Sequence, residues 1–362
     1  MTALISFVAV LLILVLVHEY GHFKAARLFG VAVEEFGFGF PPRLWQKRSG
    51  GTVYSINALP LGGFVRIKGE DSDNHDFDSF SHQSIARRCL IVGAGVIMNL
   101  LLAVLLFTVG FTAGMPTELE NTLPAGAKVR NISHEIVWVA PNSPASNEFQ
   151  SGDIIRAIDE QEFTNRLALQ AYIREHENKA INFKISRDGE VRDVELTPLK
   201  FKIDGQELLG VGIQLFSTGT VSYPFYRAPW LAVRFTASTL SEIVSSFGSL
   251  ITRLWQGQPV GQEVAGPVGI AVLSGEVAER GILFFIQFVA LLSLNLAFIN
   301  ALPIPALDGG RFLFLLVEAI RGRPLSNKIE GRIHAIGFAL LLMVVLVVTL
   351  SDVGKFSGWW GG

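Results

Sequence analysis

The sequence predicts an α-helical polytopic membrane protein with four transmembrane helices, a membrane-associated β-hairpin element and one inserted β-rich soluble domain. Three observations lead there. Half of the 362 residues are hydrophobic and mean hydropathy is +0.42, and long apolar runs stand at residues 3–17, 89–112, 281–300 and 334–350. From about residue 120 to 218 the character changes: charges become frequent and apolar runs short, with room for a domain of roughly 100 residues. Between the first two spans lie two short alternating runs bounded by Gly and Pro.

Formal net charge is −2 and no basic tract is present, which argues against a nucleic-acid partner; the lipid bilayer is the expected surrounding. The single cysteine, Cys89, excludes an intrachain disulfide framework and any multi-cysteine metal site. The first apolar run lacks a basic leader and a small-residue cleavage site, so it is expected to be retained as a span. Ser357 to Gly362 show no helical pattern.

The first span carries the chemistry. Ala3 to Val17 is fifteen residues with only Ser6 polar, about 22 Å of helix. It ends in His18-Glu19-Tyr20-Gly21-His22, an H-E-x-x-H pattern. Helical residues four apart share a face, so His18 and His22 can grip one metal ion while Glu19 stands beside it to take a proton from an attacking water. Ionisable groups at such depth are costly and usually functional. The competing reading is a histidine pair at headgroup level.

Beyond Lys24, Arg27 and Gly30, residues 31–48 form a Gly/Pro-interrupted apolar segment. The runs Thr52 to Asn57 and Gly63 to Lys68, separated by Ala58 to Gly62, predict a hairpin, and residues 70–84 a polar loop. The second span follows Arg87 and Arg88 and contains Asn99, read as a helix–helix hydrogen bond. Strands are expected at Ile136–Val139, Ile154–Ile158, Ile181–Ile185 and Val191–Leu196, and a helix at Arg166–Glu177. From Tyr223 to Gln256 the pattern is amphipathic and helical, set on the membrane surface or packed against protein. The third span breaks at Asn300, where Pro303, Pro305, Gly309 and Gly310 cannot continue a helix; broken helices are tolerated at membrane depth where they line a site. Asp308 beyond that break is the best third ligand for the histidine pair, against the alternative of a cap for a helix starting at Gly309.

Arg311, Arg321, Arg323, Lys328 and Arg332 follow the third span, and residues 24–88 carry nine Lys and Arg. Four spans put both loops on one side, which the positive-inside rule makes cytoplasmic. The inserted domain then faces the extracytoplasmic side.

These residues resemble the site-2 protease family of intramembrane zinc metalloproteases, in the bacterial type that regulates sigma factor E, over most of the chain. The family's first motif is met by His18, Glu19 and His22, and its second, N-x-x-P-x-P-x-L-D-G-G, by Asn300, Pro303, Pro305, Leu307, Asp308, Gly309 and Gly310. The resemblance implies Zn2+ held by His18, His22 and Asp308, Glu19 as catalytic base, and Asn300 holding the substrate backbone or the developing oxyanion. Pro141 to Ala145 followed by Gln150 to Ile155 is similar to the S-P-A … G-D-x-I pattern of bacterial PDZ domains, with Glu148-Phe149 where Gly-Leu is common. Gly210-Val211-Gly212-Ile213 is a weaker match to a peptide-end-binding loop. The inserted extracytoplasmic domain is thus expected to be a single PDZ domain where better-known relatives carry two.

The expected domains are a membrane domain at 1–118, a PDZ domain at 119–220, an amphipathic helical linker at 221–280 and a second membrane domain at 281–362. The expected activity is zinc-dependent peptide hydrolysis in the membrane of single-span proteins, such as anti-sigma factors already shortened by an upstream site-1 protease, or of signal-peptide remnants. The location is the bacterial inner membrane. One rival is a catalytically inactive PDZ-bearing receptor or scaffold. Another is a transporter, favoured by Asn99, Gln287 and Asn295 in the spans and opposed by the lack of a duplicated hydropathy pattern.

Overall fold

The computed structural model describes residues 2–70, 76–119, 123–187, 189–203, 206–258 and 266–357. The chain divides into two compact units, one of Met1–Val109 with Pro229–Gly362 and one of Gly110–Ala228. In the first unit, α1 (Thr2–Leu28) leads into β1 (Val33–Ser49), β2 (Thr52–Ile67) and α2 (Ile85–Ala113).

The β element differs from the expected hairpin. The runs 52–57 and 63–67 do not pair with each other; both belong to β2 and both pair with β1. Residues 33–38 lie between them, with Phe36 opposite Val65 on one side and Tyr54 on the other, while residues 43–49 pair with 52–57. The ribbon is folded on itself in the order 43–49, 52–57, 33–38, 63–67, so 63–67 is an edge. Two features of β1 make this fold possible. Gly37 lies between Phe64 and Ser55, where a Cβ would strike both. Glu35, 4% exposed, joins Arg43 at 2.5 Å and Ser55 at 2.7 Å. Of the polar loop expected at 70–84, residues 71–75 lie outside the described residues and 77–83 form turns and bends.

The second unit holds β3 (Met115–Glu118), β4 (Lys128–Val139), β5 (Ile154–Ile158), α3 (Arg166–Glu175), β6 (Ile181–Arg187), β7 (Glu190–Leu196), β8 (Leu199–Ile203), β9 (Gln206–Gly210) and β10 (Ile213–Ser222). Six strands form an antiparallel sheet in the order β3-β10-β4-β5-β6-β7, with β8 and β9 as a separate hairpin. The core gathers Ile136, Phe149, Ile158, Leu169, Phe183 and Leu215. The Asn165 side chain caps α3 by accepting the Ala168 N–H at 2.8 Å; the helix ends at Glu175, before the expected Glu177. Asp153 is buried beneath the turn at 150–153, where burial works to raise its pKa. The Arg187 guanidinium and the Gln150 N–H outweigh that and hold it below the ordinary carboxylate value. Strands β3, β9 and β10 carry no clean alternation; β8 alternates as Leu199-Lys200-Phe201-Lys202-Ile203 but is only five residues long, and none of the four was expected from sequence.

The chain returns to the first unit through α4 (Ala228–Trp255), then α5 (Pro267–Arg280), α6 (Ile282–Ala301), α7 (Asp308–Arg321) and α8 (Asn327–Ser357). Four helices, α1, α2, α6 and α8, are long and apolar enough to cross a membrane. Val10 and Leu14 of α1 meet Leu102 and Leu106 of α2 and Val289 and Leu292 of α6, so these three helices share a core. Helix α4 packs Phe235 on Phe107 and Phe247 on Phe298. Helix α5, which the sequence reading left inside the linker, lies against the start of α1 where Gly275 meets Ala3. Helix α8 begins at Asn327, ahead of the apolar run, and includes Ser357; residues 358–362 lie outside the described residues.

Candidate metal centre

Helix α1 runs unbroken through residues 18–22, so its two histidines project from one face. That face is pressed onto α2. A Cβ on Gly21 would strike the Ala94 carbonyl, and a Cβ on Gly95 would strike His22 Nε2 and stand 2.7 Å from His18 Cε1. Opposite them, the chain leaves α6, turns through 302–307 and enters α7 at Asp308. Leu307 is the N-cap and makes no side-chain cap bond; Asp308 is the first residue of the helix, and its carboxylate is turned to the histidines. The turn is tight. Ala306 sits at φ +80° and donates its N–H to His334 Nδ1 of α8 at 2.8 Å. Gly309 and Gly310 lie against the carbonyls of Leu302 and Ile304, where no Cβ fits.

The three donor atoms form a small triangle. His18 Nε2 and His22 Nε2 are 3.2 Å apart, and Asp308 Oδ2 lies 3.1 Å from the first and 3.3 Å from the second. Tetrahedral zinc with bonds of about 2.0–2.1 Å has donor atoms about 3.3 Å apart, so a triangle of this size fits. The outer nitrogen of His22 agrees: Nδ1 is 2.9 Å from the Ile91 carbonyl and must carry the proton, which leaves Nε2 bare. Asp308 Oδ2 is buried without a hydrogen-bond partner. Lone pairs converging in a buried place call for a cation. Among the described residues this is the one grouping of three His, Cys, Asp or Glu side chains close enough to hold a metal ion.

Glu19 and Asn300 complete the surroundings. Two cavities of about 490 and 270 Å³ share His18, Glu19, Gly63 and Asp308 as walls. The smaller adds Val15, Leu296 and Asn300, and the larger adds Glu70, Arg311 and His334. Asn300 Nδ2 lies 3.5 Å from His18 Nε2. The ribbon edge borders both cavities: Gly63 is in contact with Val15 and Glu19, and the Val65 N–H reaches the Glu19 carboxylate. The sequence-derived residues His18, Glu19, His22, Asn300 and Asp308 therefore stand around one space. Asn99 of α2 makes the helix–helix hydrogen bond expected of it, its amide lying 3.2 Å from His18 Nδ1 of α1; that the partner is one of these histidines is what sequence reasoning did not give. A signal was present: Gly95 and Asn99 repeat on α2 the four-residue spacing of His18 and His22.

Comparison with known proteins decides the family. The model of Peptidase family M50 matches residues 6–344. The chain belongs to peptidase family M50. It is a multi-pass membrane peptidase. Similar curated proteins include Zinc metalloprotease RasP of Geobacillus kaustophilus, 29% identical over 98% of this chain and 98% of that one. Regulator of sigma-W protease RasP of Bacillus subtilis is 27% identical over 97% and 98%. Among solved structures, the PDZ domain of an SdrC-like protein from Listeria monocytogenes matches 24% of this chain and 92% of its own, at 20% identity and a TM-score of 0.22.

Proposed function

We propose that His18, His22 and Asp308 hold the zinc ion of this intramembrane metalloendopeptidase, that Glu19 is its catalytic base, and that Asn300 steadies the substrate backbone. The observation that carries this is the triangle of Nε2, Nε2 and Oδ2, with edges of 3.1–3.3 Å, beside Glu19 at the inner end of an apolar helix. Bound zinc supplies a Lewis acid that lowers the pKa of water toward about 7 and polarises a carbonyl. Glu19 accepts the proton of the attacking water and delivers it to the leaving amine. Asn300, whose amide nitrogen lies 3.5 Å from His18 Nε2, would donate to the oxygen on which charge develops.

A transmembrane substrate helix buries each carbonyl in its own hydrogen bonds, so the cut segment must first be extended, and lipid offers its freed groups no partner. The edge at 63–67 supplies them by strand addition. Substrates are single-span membrane proteins, with anti-sigma factors trimmed by an upstream site-1 protease as the leading class and signal-peptide remnants as the second. The name of the Bacillus subtilis relative supports the first.

The enzyme sits in the bacterial inner membrane. The Lys and Arg of residues 24–88 and 311–332 favour a cytoplasmic position for the site and an extracytoplasmic one for the inserted unit. That unit, at about 119–220 between membrane domains of 1–118 and 281–362 and ahead of a linker at 221–280, is read as a PDZ module. Its S-P-A … G-D-x-I pattern and its antiparallel sheet with α3 support the reading. The test is cleavage of a single-span substrate in vesicles. Wild type should cut it and Glu19→Gln should bind it uncut; equal cutting by both removes Glu19 as base.

A further inference from the structure

We infer that Asn99 is a positioning residue for the proposed metal centre: its side-chain oxygen accepts the Nδ1–H of His18 and so fixes the tautomer that presents Nε2 to a metal. The inference rests on the ligand assignment above and goes beyond it. Asn99 is fully buried on α2, and its amide lies 3.2 Å from His18 Nδ1. Neutral imidazole carries one proton; for Nε2 to ligate, Nδ1 must hold it and needs an acceptor. His22 meets that need through the Ile91 carbonyl at 2.9 Å. His18 has Asn99.

The amide's Oδ1 is buried without a hydrogen-bond partner. A half-turn of the side chain exchanges Oδ1 and Nδ2 within the same outline. It places Oδ1 against Nδ1–H, an acceptor facing a donor, with Nδ2 in the position that Oδ1 leaves, and leaves Nε2 bare toward His22 and Asp308. The Asn99 backbone carbonyl separately accepts the Ser293 hydroxyl of α6 at 2.8 Å, a contact that does not involve the side-chain amide. Ile91, Gly95 and Asn99 lie four residues apart on α2, so one helix face provides an acceptor for each histidine and, between them, a glycine that gives the rings room.

The test uses the full-length protein in detergent, stripped of metal and titrated with Co2+. It reads affinity by chelator competition and geometry by the visible d–d bands. Asn99→Leu, which keeps the volume and removes the acceptor, should weaken Co2+ binding about 10- to 100-fold and alter the bands. Asn99→Asp, which restores an acceptor, should recover most of both. Ser293→Ala, which removes a bond to the Asn99 backbone and leaves the amide in place, should match wild type. Wild-type affinity and bands in Asn99→Leu overturn the inference. So does equal weakening in Asn99→Asp, or in Ser293→Ala, because either would mean that packing and not the acceptor matters. Failure of the ligand assignment itself is separable: His22→Ala would then bind Co2+ as wild type does.

Discussion

Gly93 and Gly95 stand two residues apart on α2, and alanine at each meets a different fate. Nothing lies within 4 Å of a Cβ on Gly93, whereas a Cβ on Gly95 collides with His22 Nε2. Alanine is favoured over glycine in a helix interior by about 1 kcal/mol. Gly93→Ala should thus keep its zinc and melt no lower than wild type. Gly95→Ala should lose zinc affinity by about 10-fold or more, as displaced ligands do. Zinc content after dialysis against a chelator, with a thermal melt of each protein, checks both. At this scale the histidines and Glu19 are legible because helical spacing alone places them. Asp308 is legible only in combination: alone, an Asp in a Pro/Gly turn reads first as a cap, and only beside H-E-x-x-H does it read as a ligand, the reading that the packing of the 302–307 turn supports. Asn99 is not legible in its role. A buried Asn in a span announces that it needs a partner, but which partner depends on how α1 crosses α2.

At the scale of elements, the spans follow from apolar length, and strands β5, β6 and β7 from their β-branched runs. The ribbon does not follow. Its pairing depends on Gly37 slipping between two strands and on Glu35 gathering Arg43 and Ser55, contacts between residues up to 27 apart. The outcome matters for function, because 63–67 remains an edge, now paired with 33–38 and lying beside Glu19. Val65→Pro removes from that edge the N–H that reaches Glu19, and the substituted enzyme should hold wild-type zinc yet cleave several-fold more slowly. On matched substrates, one with Gly or Pro and one with Leu near the cut, the helix-weakened one should be cut faster. Equal rates for the pair, with full activity in Val65→Pro, would exclude strand addition here. Helix α5 shows the same limit: Pro267 at its first turn is a permitted helix start, but its mixed composition reads as linker until its contact with α1 is seen.

At the scale of the whole molecule, the proposed site and the inserted domain fall in different units. The proposed ligands, base and edge all belong to the unit of Met1–Val109 and Pro229–Gly362, and the unit of Gly110–Ala228 has its own sheet and core. The sequence changes character near residues 120 and 218 because a soluble core needs short alternating runs and a membrane helix does not; the compact units divide at Gly110 and Ala228. Removing residues 119–220 with a short flexible join should leave zinc content and the cutting of trimmed substrates near wild type, while untrimmed substrates become cleavable. Loss of zinc in the shortened protein, if it still inserts and folds, would show that the two units are not modular.

The central claim is that one metal is held between α1 and the start of α7, and metal analysis of the purified protein tests it most directly. Wild type and Glu19→Gln should each carry about one zinc per chain, and His22→Ala and Asp308→Asn markedly less. Unchanged zinc in both His22→Ala and Asp308→Asn would contradict it.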